Sequence, residues 1–384
     1  MKSRLFVAVA AVASAGALIA SPAVATPVPV ADRVTHQPAC PGAMSGAARC
    51  FARVVDQANG KPATSSAPTG LSPATIKSAY NFPTGLTAGA GQTIAIVDAF
   101  NDPSAESDLG VFSARFGLPA CTTSNGCFAK VNQTGGTKYP RTDPGWALEI
   151  SLDVQWAHAI APGAKILLVE ASSASFTNLL TAVDYAKTHA GYVSNSWGGS
   201  EFSGESAYDS HFTTPSGNVS FFVSSGDNGT PAEYPSSSPK VVSVGGTTLN
   251  FASNGQLSSE TGWSGGGGGC SAYETATPAQ SSLSTALCGG QRATPDVSLD
   301  ADPASGVSVY DSTKYQGQTG WYTVGGTSAS APMWAARSAD AAAVVNSGYV
   351  YGSAITYRDI TSGNNGASCL VGFDLCTGRG SWIG

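Results

Sequence analysis

Near the C-terminal end of this 384-residue chain, Gly325-Gly326-Thr327-Ser328-Ala329-Ser330-Ala331-Pro332 sets a serine at the start of a helix. Paired glycines permit a tight backbone approach. Ser328 then falls where free N–H groups and the positive end of a helix dipole favour an alkoxide or oxyanion. A bare Gly-Thr-Ser would read as an ordinary Ser-capped helix, but the continuation Met333-Trp334-Ala335-Ala336 makes the run far more specific. A serine nucleophile needs a group to take its proton, and the usual candidate is histidine. The chain has four: His36, His158, His189 and His211.

Serine peptidases of the subtilisin type carry that base in a His-Gly-Thr motif on a helix. His36 lies upstream of any folded pattern, and the others precede Ala159, Ala190 and Phe212, so no His-Gly-Thr occurs. A carboxylate is the natural substitute. The segment from Trp146 to Ile160 has helical periodicity and stops at Pro162-Gly163. At about 100° per residue, Glu149 and Asp153 share a face with Trp146, Leu152, Trp156 and Ile160. Ser151, Gln155 and His158 point the opposite way, so His158 reads as a solvated surface histidine. Two acids on an apolar face resist double ionisation and should share a proton over an acidic range. The competing reading is structural, with either acid satisfying a buried arginine or a backbone N–H. Two acids on one face weaken it.

The sequence resembles the sedolisin family of serine-carboxyl peptidases, the group of kumamolisin and the tripeptidyl-peptidases. Four stretches carry the resemblance: Glu149-x-x-x-Asp153 with His158-Ala-Ile-Ala-Pro-Gly163, Ser194-Asn-Ser-Trp-Gly-Gly199, Ser225-Gly-Asp227-Asn-Gly229, and Gly326-Thr-Ser328-x-Ser-x-Pro332. It extends from about Leu71 to the C-terminus. The resemblance implies a subtilisin-like α/β fold, with Ser328 as nucleophile, Glu149 as base and later acid, and Asp153 orienting Glu149. It also makes Asp227 a protonated oxyanion-hole donor beside the backbone N–H of Ser328. From the residues alone, Asp227 would be a turn-stabilising aspartate in a glycine-rich turn. Protonated carboxyls imply peptide hydrolysis strongest near about pH 3–5, given carboxyl pKa values of about 4.

The same resemblance implies one structural calcium ion near the C-terminus. Asp359 and Asp374 would supply carboxylates, and Ile360, Leu370 and Gly372 backbone carbonyls, a hard-oxygen set that calcium prefers. A polar surface loop is the alternative. Ser196, Trp197 and Gly198 fall in a segment that looks like a cleft wall able to pair with extended peptide; for Ser196 and Trp197 a packing role is equally open. Asp98, after Ile94-Ala-Ile-Val97, matches the strand bearing the triad aspartate in subtilisins. With no histidine to orient, it reads as a structural or substrate-side residue.

Composition bounds the rest. Residues 1–25 read as a signal peptide, with Lys2 and Arg4, an apolar run from Leu5, and Ala23-Val24-Ala25 before Thr26. No other stretch is long and apolar enough to span a bilayer, which points to a secreted, extracellular protein. Eight cysteines suit that compartment, and nearest-neighbour disulfides are the simplest pairing. Zinc is rejected for want of a Cys-x2-Cys spacing. Charged residues are 11% of the chain, with 19 Lys+Arg against 25 Asp+Glu and no basic cluster, so nucleic acid is excluded as a partner. The expected partners are peptide or protein substrates, met by a monomer. Residues 26–70, rich in Pro, Ala, Ser and Thr, read as a short pro-segment or extension. From Leu71, apolar β-branched runs alternate with helical patterns, giving a mostly parallel sheet with helices on both faces in a single catalytic domain, 71–384. Sedolisin precursors usually carry a long folded pro-domain, so this leader is unusually short. A neutral subtilisin-type peptidase and a secreted, calcium-stabilised, non-catalytic binding protein on the same fold are the rival readings.

Overall fold

The β-branched run Thr93–Ala99 is buried along nearly its whole length, as a parallel strand covered on both sides must be. In the computed structural model, which describes Met1 and residues 34–40, 42 and 46–384, it forms an inner strand of an eight-stranded sheet. The expected signal peptide, beyond Met1, lies outside the described residues. The strand order is Leu257–Gly262, Val242–Phe251, Ser220–Ser224, Tyr192–Asn195, Thr93–Ala99, Lys165–Ala171 and Phe128–Asn132. Val297–Asp300 pairs with Val242–Phe251 as well. Every pairing is parallel except that of Leu257–Gly262.

Two helices bring the chemistry-bearing residues to this sheet. The acid helix, Pro144–Ile160, starts where Asp143 accepts the N–H groups of Gly145 and Trp146 and Pro144 occupies the first turn. The serine helix, Thr327–Asp340, follows Gly326, whose φ of +99° only glycine adopts readily. The two helices pack on each other and on the central strands.

The acid helix has no solvent face. Residues 145–160 are all buried, so the expected polar side is covered rather than wet. The antiparallel hairpin Val307–Tyr315 and Gln318–Gly325 covers part of it. Gln155 donates to the Tyr310 carbonyl at 2.6 Å and accepts its N–H at 2.9 Å, and Ser151 donates to Asp102 at 3.2 Å. His158 is likewise buried, its Nε2 bonded to the Pro119 carbonyl at 2.9 Å, which corrects the surface reading. Burial lowers its pKa. Periodicity records polarity but not what pays for it: these groups are satisfied by protein partners instead of water.

The N-terminal segment also departs from expectation. His36–Pro38 pairs with Arg53–Val55, which pairs with Gln318–Gly325, as does Thr64–Ser65. The compact unit therefore runs Val34–Gly384, with no break at Leu71. These short strands have too few apolar residues to announce themselves; they borrow partners from the hairpin. The four expected disulfides form: Cys40–Cys50, Cys121–Cys127, Cys270–Cys288 and Cys369–Cys376. Among the described residues, no helix is long and apolar enough to cross a membrane.

Candidate active site

Three acids meet without a cation. Glu149 and Asp153 lie one turn apart on the acid helix, Asp98 sits near the end of Thr93–Ala99, and all three are fully buried. None joins an ion pair among the described residues. Burial pushes Glu149 and Asp153 well above the usual carboxylate range, and the charge of Asp98 adds to both. Burial, with help from Glu170, raises Asp98 to about 8. Both oxygens of Asp98 and Asp153, and Oε1 of Glu149, have no hydrogen-bond partner. Carboxyls so placed hold protons among themselves rather than stand as three anions. Asp98 is thus part of the acid cluster. Its strand position was the available signal.

Ser328 is buried at the first turn of the serine helix, and its Oγ donates to the Ser196 carbonyl at 3.3 Å. Its hydroxyl also partly offsets the rise in the Glu149 pKa, which sets Ser328 beside the acid. Glu149 Oε2 accepts the backbone N–H of Ala52 at 2.8 Å. Asp227 approaches from the turn after Ser220–Ser224. Its Oδ1 accepts the N–H of Thr327 at 2.8 Å and the Thr327 hydroxyl at 3.0 Å, whereas Oδ2 is buried with no partner. Burial raises Asp227 to about 7, held back by the Thr327 bonds and by Arg53 and Arg49.

Gly326 explains the paired glycines. A side-chain carbon there would stand 2.9 Å from Asp227 Oδ2 and 1.8 Å from the Phe51 carbonyl oxygen. Any other residue would collide with the Phe51 carbonyl and crowd the free Asp227 oxygen. The segment expected to wall a cleft presents backbone: the Ser196 carbonyl accepts from Ser328, while Trp197 turns inward and donates to Val97 O at 2.8 Å. Gly198 is buried in the strand Trp197–Ser200. The histidines are engaged elsewhere, His36 with Arg53, His158 with Pro119, His189 with Tyr185 and His211 with Asp184. That leaves carboxyls as the titratable groups beside Ser328 among the described residues.

The sequence profile of the subtilase family matches residues 142–362, which span both helices of this site up to the start of the C-terminal loop. The chain belongs to the subtilase family, in its sedolisin group. Kumamolisin of Bacillus sp. (strain MN-32) is 34% identical over 365 residues, covering 83% of this chain and 63% of kumamolisin. Sedolisin of Pseudomonas sp. (strain 101) is 34% identical over 200 residues, 42% of this chain and 33% of that protein. The chain thus spans less than two thirds of the length of either relative. A solved structure of Pseudomonas sedolisin, a serine-carboxyl proteinase complexed with two molecules of pseudo-iodotyrostatin, matches with a TM-score of 0.69 at 29% identity. That match covers 82% of this chain and 96% of the other.

The C-terminal loop has a donor set of the kind a hard cation takes. Asp359 Oδ2 accepts the Gly372 N–H at 2.8 Å and Asp374 Oδ2 the Leu370 N–H at 2.6 Å, so both carboxylates grip the same turn. The Cys376 and Thr377 N–H groups hold Asp374 Oδ1. Among the described residues, the carbonyls of Ile360, Leu370 and Gly372 accept no hydrogen bond, leaving their lone pairs available. Cys121, Cys127 and His158 also cluster, but the two sulfurs are bonded to each other and offer no thiolate. The sequence reading missed Phe51 and Ala52 altogether. Nothing in their composition signals that Ala52 reaches Glu149 from 97 residues away.

Proposed function

We propose that this protein is a secreted serine-carboxyl peptidase that hydrolyses peptide bonds at acidic pH. The observation that carries it is the convergence of Ser328, the buried acids and the unpartnered Oδ2 of Asp227 in the absence of any histidine. Ser328 Oγ attacks the carbonyl carbon as Glu149 takes its proton, and Asp153 keeps Glu149 oriented and supplied with a shared proton. Asp227, protonated, donates from Oδ2 to the developing oxyanion, together with the Ser328 N–H at the helix start. Glu149 then protonates the leaving amine, and water releases the acyl group. Peptide binds as an extended strand along the backbone of Ser196, Trp197 and Gly198.

The test is hydrolysis of a denatured protein across pH by the wild type beside Ser328→Ala. Cleavage should be strongest near about pH 3–5 and absent in the variant. Activity that peaks at pH 8 and vanishes at pH 4, or equal cleavage by both proteins, would sink the proposal.

A structural calcium ion belongs to the same reading. Asp359 and Asp374 would hold it with the carbonyls of Ile360, Leu370 and Gly372, water completing the shell. The ion would tie a loop already clamped by Cys369–Cys376. At a hundredfold excess over Kd it would contribute about 2.7 kcal/mol, or roughly 3–5 °C of Tm for a chain this long. Chelation should lower Tm by that amount, restored by calcium and not by magnesium. An unchanged Tm would leave a polar loop and nothing more.

A further inference from the structure

A second group of acids lies away from Ser328, where separate segments of the chain meet. Glu205 and Asp209 are buried on the short 3₁₀ helix Glu205–Phe212, and Glu274 is buried on the strand Gly269–Thr275. Glu201, just after the strand Trp197–Ser200, completes the group. Hydrogen bonds tie each acid to a neighbouring segment. Glu201 accepts the Ser271 hydroxyl and, at 3.0 Å, the Ala272 N–H. Ser271 Oγ in turn accepts the Glu274 N–H at 2.8 Å. Glu205 accepts the Phe202 N–H at 2.7 Å and the Ser237 hydroxyl at 3.1 Å.

Four negative charges here would go unbalanced. None of the four acids joins an ion pair among the described residues. Lys240 is the cation that acts on the group, at Asp209. Other charges nearby are engaged: Arg49 holds Glu233 at 2.7 Å, and His211 on the same helix binds Asp184 at 2.8 Å. Asp209 Oδ1, Glu274 Oε1 and the Tyr234 hydroxyl are buried with no hydrogen-bond partner. Tyr234 is 0% exposed and sits against Asp209, Glu205 and Glu274, whose charges add to burial in raising its pKa. Burial raises Glu205 to about 8, with Glu201 adding to it, and Glu274 to about 7, with Asp209 and Glu201 adding. Burial raises Asp209 as well. Carboxyls packed this way resist ionising together and hold protons between them.

We propose that Glu201, Glu205, Asp209 and Glu274 are a proton-held clasp, which keeps the strand Gly269–Thr275 on the helix Glu205–Phe212 in acid and releases it at neutral pH. Each shared proton makes one carboxyl a donor to its neighbour, and its loss leaves two anions that repel. The folded protein binds these protons more tightly than the unfolded chain, whose glutamates titrate near about pH 4.3. The clasp is therefore complete below that pH, and it is lost as pH climbs through the raised values of Glu274 and Glu205. Its release reaches the catalytic side through the backbone. Gly266-Gly267-Gly268 leads directly into Gly269–Thr275, and the Gly267 N–H donates at 2.7 Å to the carbonyl of Gly226, next to Asp227. A side-chain carbon at Gly267 would stand 2.1 Å from the Ser225 carbonyl oxygen, so the two turns touch. The turn carrying Asp227 is thus braced in acid. That consequence rests on the role given to Asp227, whereas the clasp itself does not.

Hydrogen exchange read by mass spectrometry at pH 4, 6 and 8 tests the clasp, on the full chain carrying Ser328→Ala so that no cleavage intervenes. After correction for intrinsic exchange, protection of 269–275 and 205–212 should fall by about tenfold per pH unit for each acid that ionises. The helix Phe176–Ala186, which buries no acid, should keep its protection. Adding Glu205→Gln and Glu274→Gln, which keep the shape and donate at any pH, should hold 269–275 at pH 8 within about tenfold of its protection at pH 4. Equal protection of 269–275 at pH 4 and pH 8 overturns the inference, and so does a loss that spreads equally to Phe176–Ala186. A loss left unchanged by the two glutamines assigns the release to other acids and overturns it as well. The first comparison needs no clasp variant, so it decides even where the substituted chain misfolds. Hydrolysis enters none of these readings, so failure of the peptidase reading, seen as no cleavage of a denatured protein, is told apart from failure of the clasp.

Discussion

Glu149→Gln should lower kcat/KM by about 10²–10⁴-fold, the usual contribution of a positioned base. Glutamine keeps the volume of a fully buried side chain and can still accept the Ala52 N–H. What it loses is the ability to take the Ser328 proton and return it to the leaving amine. The same substitution has an opposite effect on stability at higher pH. Glu149 has a folded-state pKa raised by burial and by Asp98, so the folded protein holds more protons than the unfolded chain. Its contribution is complete below the unfolded value of about 4.3 and is lost as pH rises through the raised folded value. Glu149→Gln removes that loss, so its Tm should gain on the wild type between pH 4 and pH 8. Steady-state kinetics and thermal melts at the two pH values check both halves. A variant keeping more than a tenth of wild-type activity would show that another group is the base.

Asp227→Ala should cost about 10²–10³-fold in kcat, the typical effect of deleting one oxyanion donor. It also strips the Thr327 N–H of its acceptor at the start of the serine helix, a loss of about 1–3 kcal/mol. Asp227→Asn separates the two effects. Its oxygen can keep the Thr327 bonds while its N–H₂ donates where Oδ2 stood, so its Tm should stay near wild type and its activity at pH 7 should exceed that of the alanine variant. Asp227 itself donates only while protonated. With its pKa raised to about 7, wild-type turnover should fall as pH climbs through that value. Equal pH–rate curves for wild type and Asp227→Ala would remove Asp227 from the reaction.

Much of this site was legible because it depends on local spacing. An i, i+4 pair of acids on a helix shares a face wherever the helix goes, and both Glu149 and Asp153 do lie in the acid cluster. The glycines before Ser328 announced a close approach, and Gly326 meets the Phe51 carbonyl. Four pairs of nearby cysteines joined as their proximity suggested. His158 shows where such reasoning fails. A polar stripe on a helix means water only if no other element covers it, and the Val307–Gly325 region and the Pro119 loop cover this one.

The sequence by itself determined the alternating strands and helices, the absence of any His-Gly-Thr, and the two acids on one helix face. Those follow from periodicity, from a count of histidines and from fixed helical phase. Tertiary structure alone decided that Asp98 joins the acids, because two elements 50 residues apart must pack before their charges interact. It alone decided, too, that the region read as a Pro-rich leader enters the cleft. Arg49–Arg53 carries no pattern of its own; its place comes from strand partners 147 to 272 residues further along the chain. Backbone hydrogen bonds of that kind are blind to side-chain type, and a sequence cannot display them.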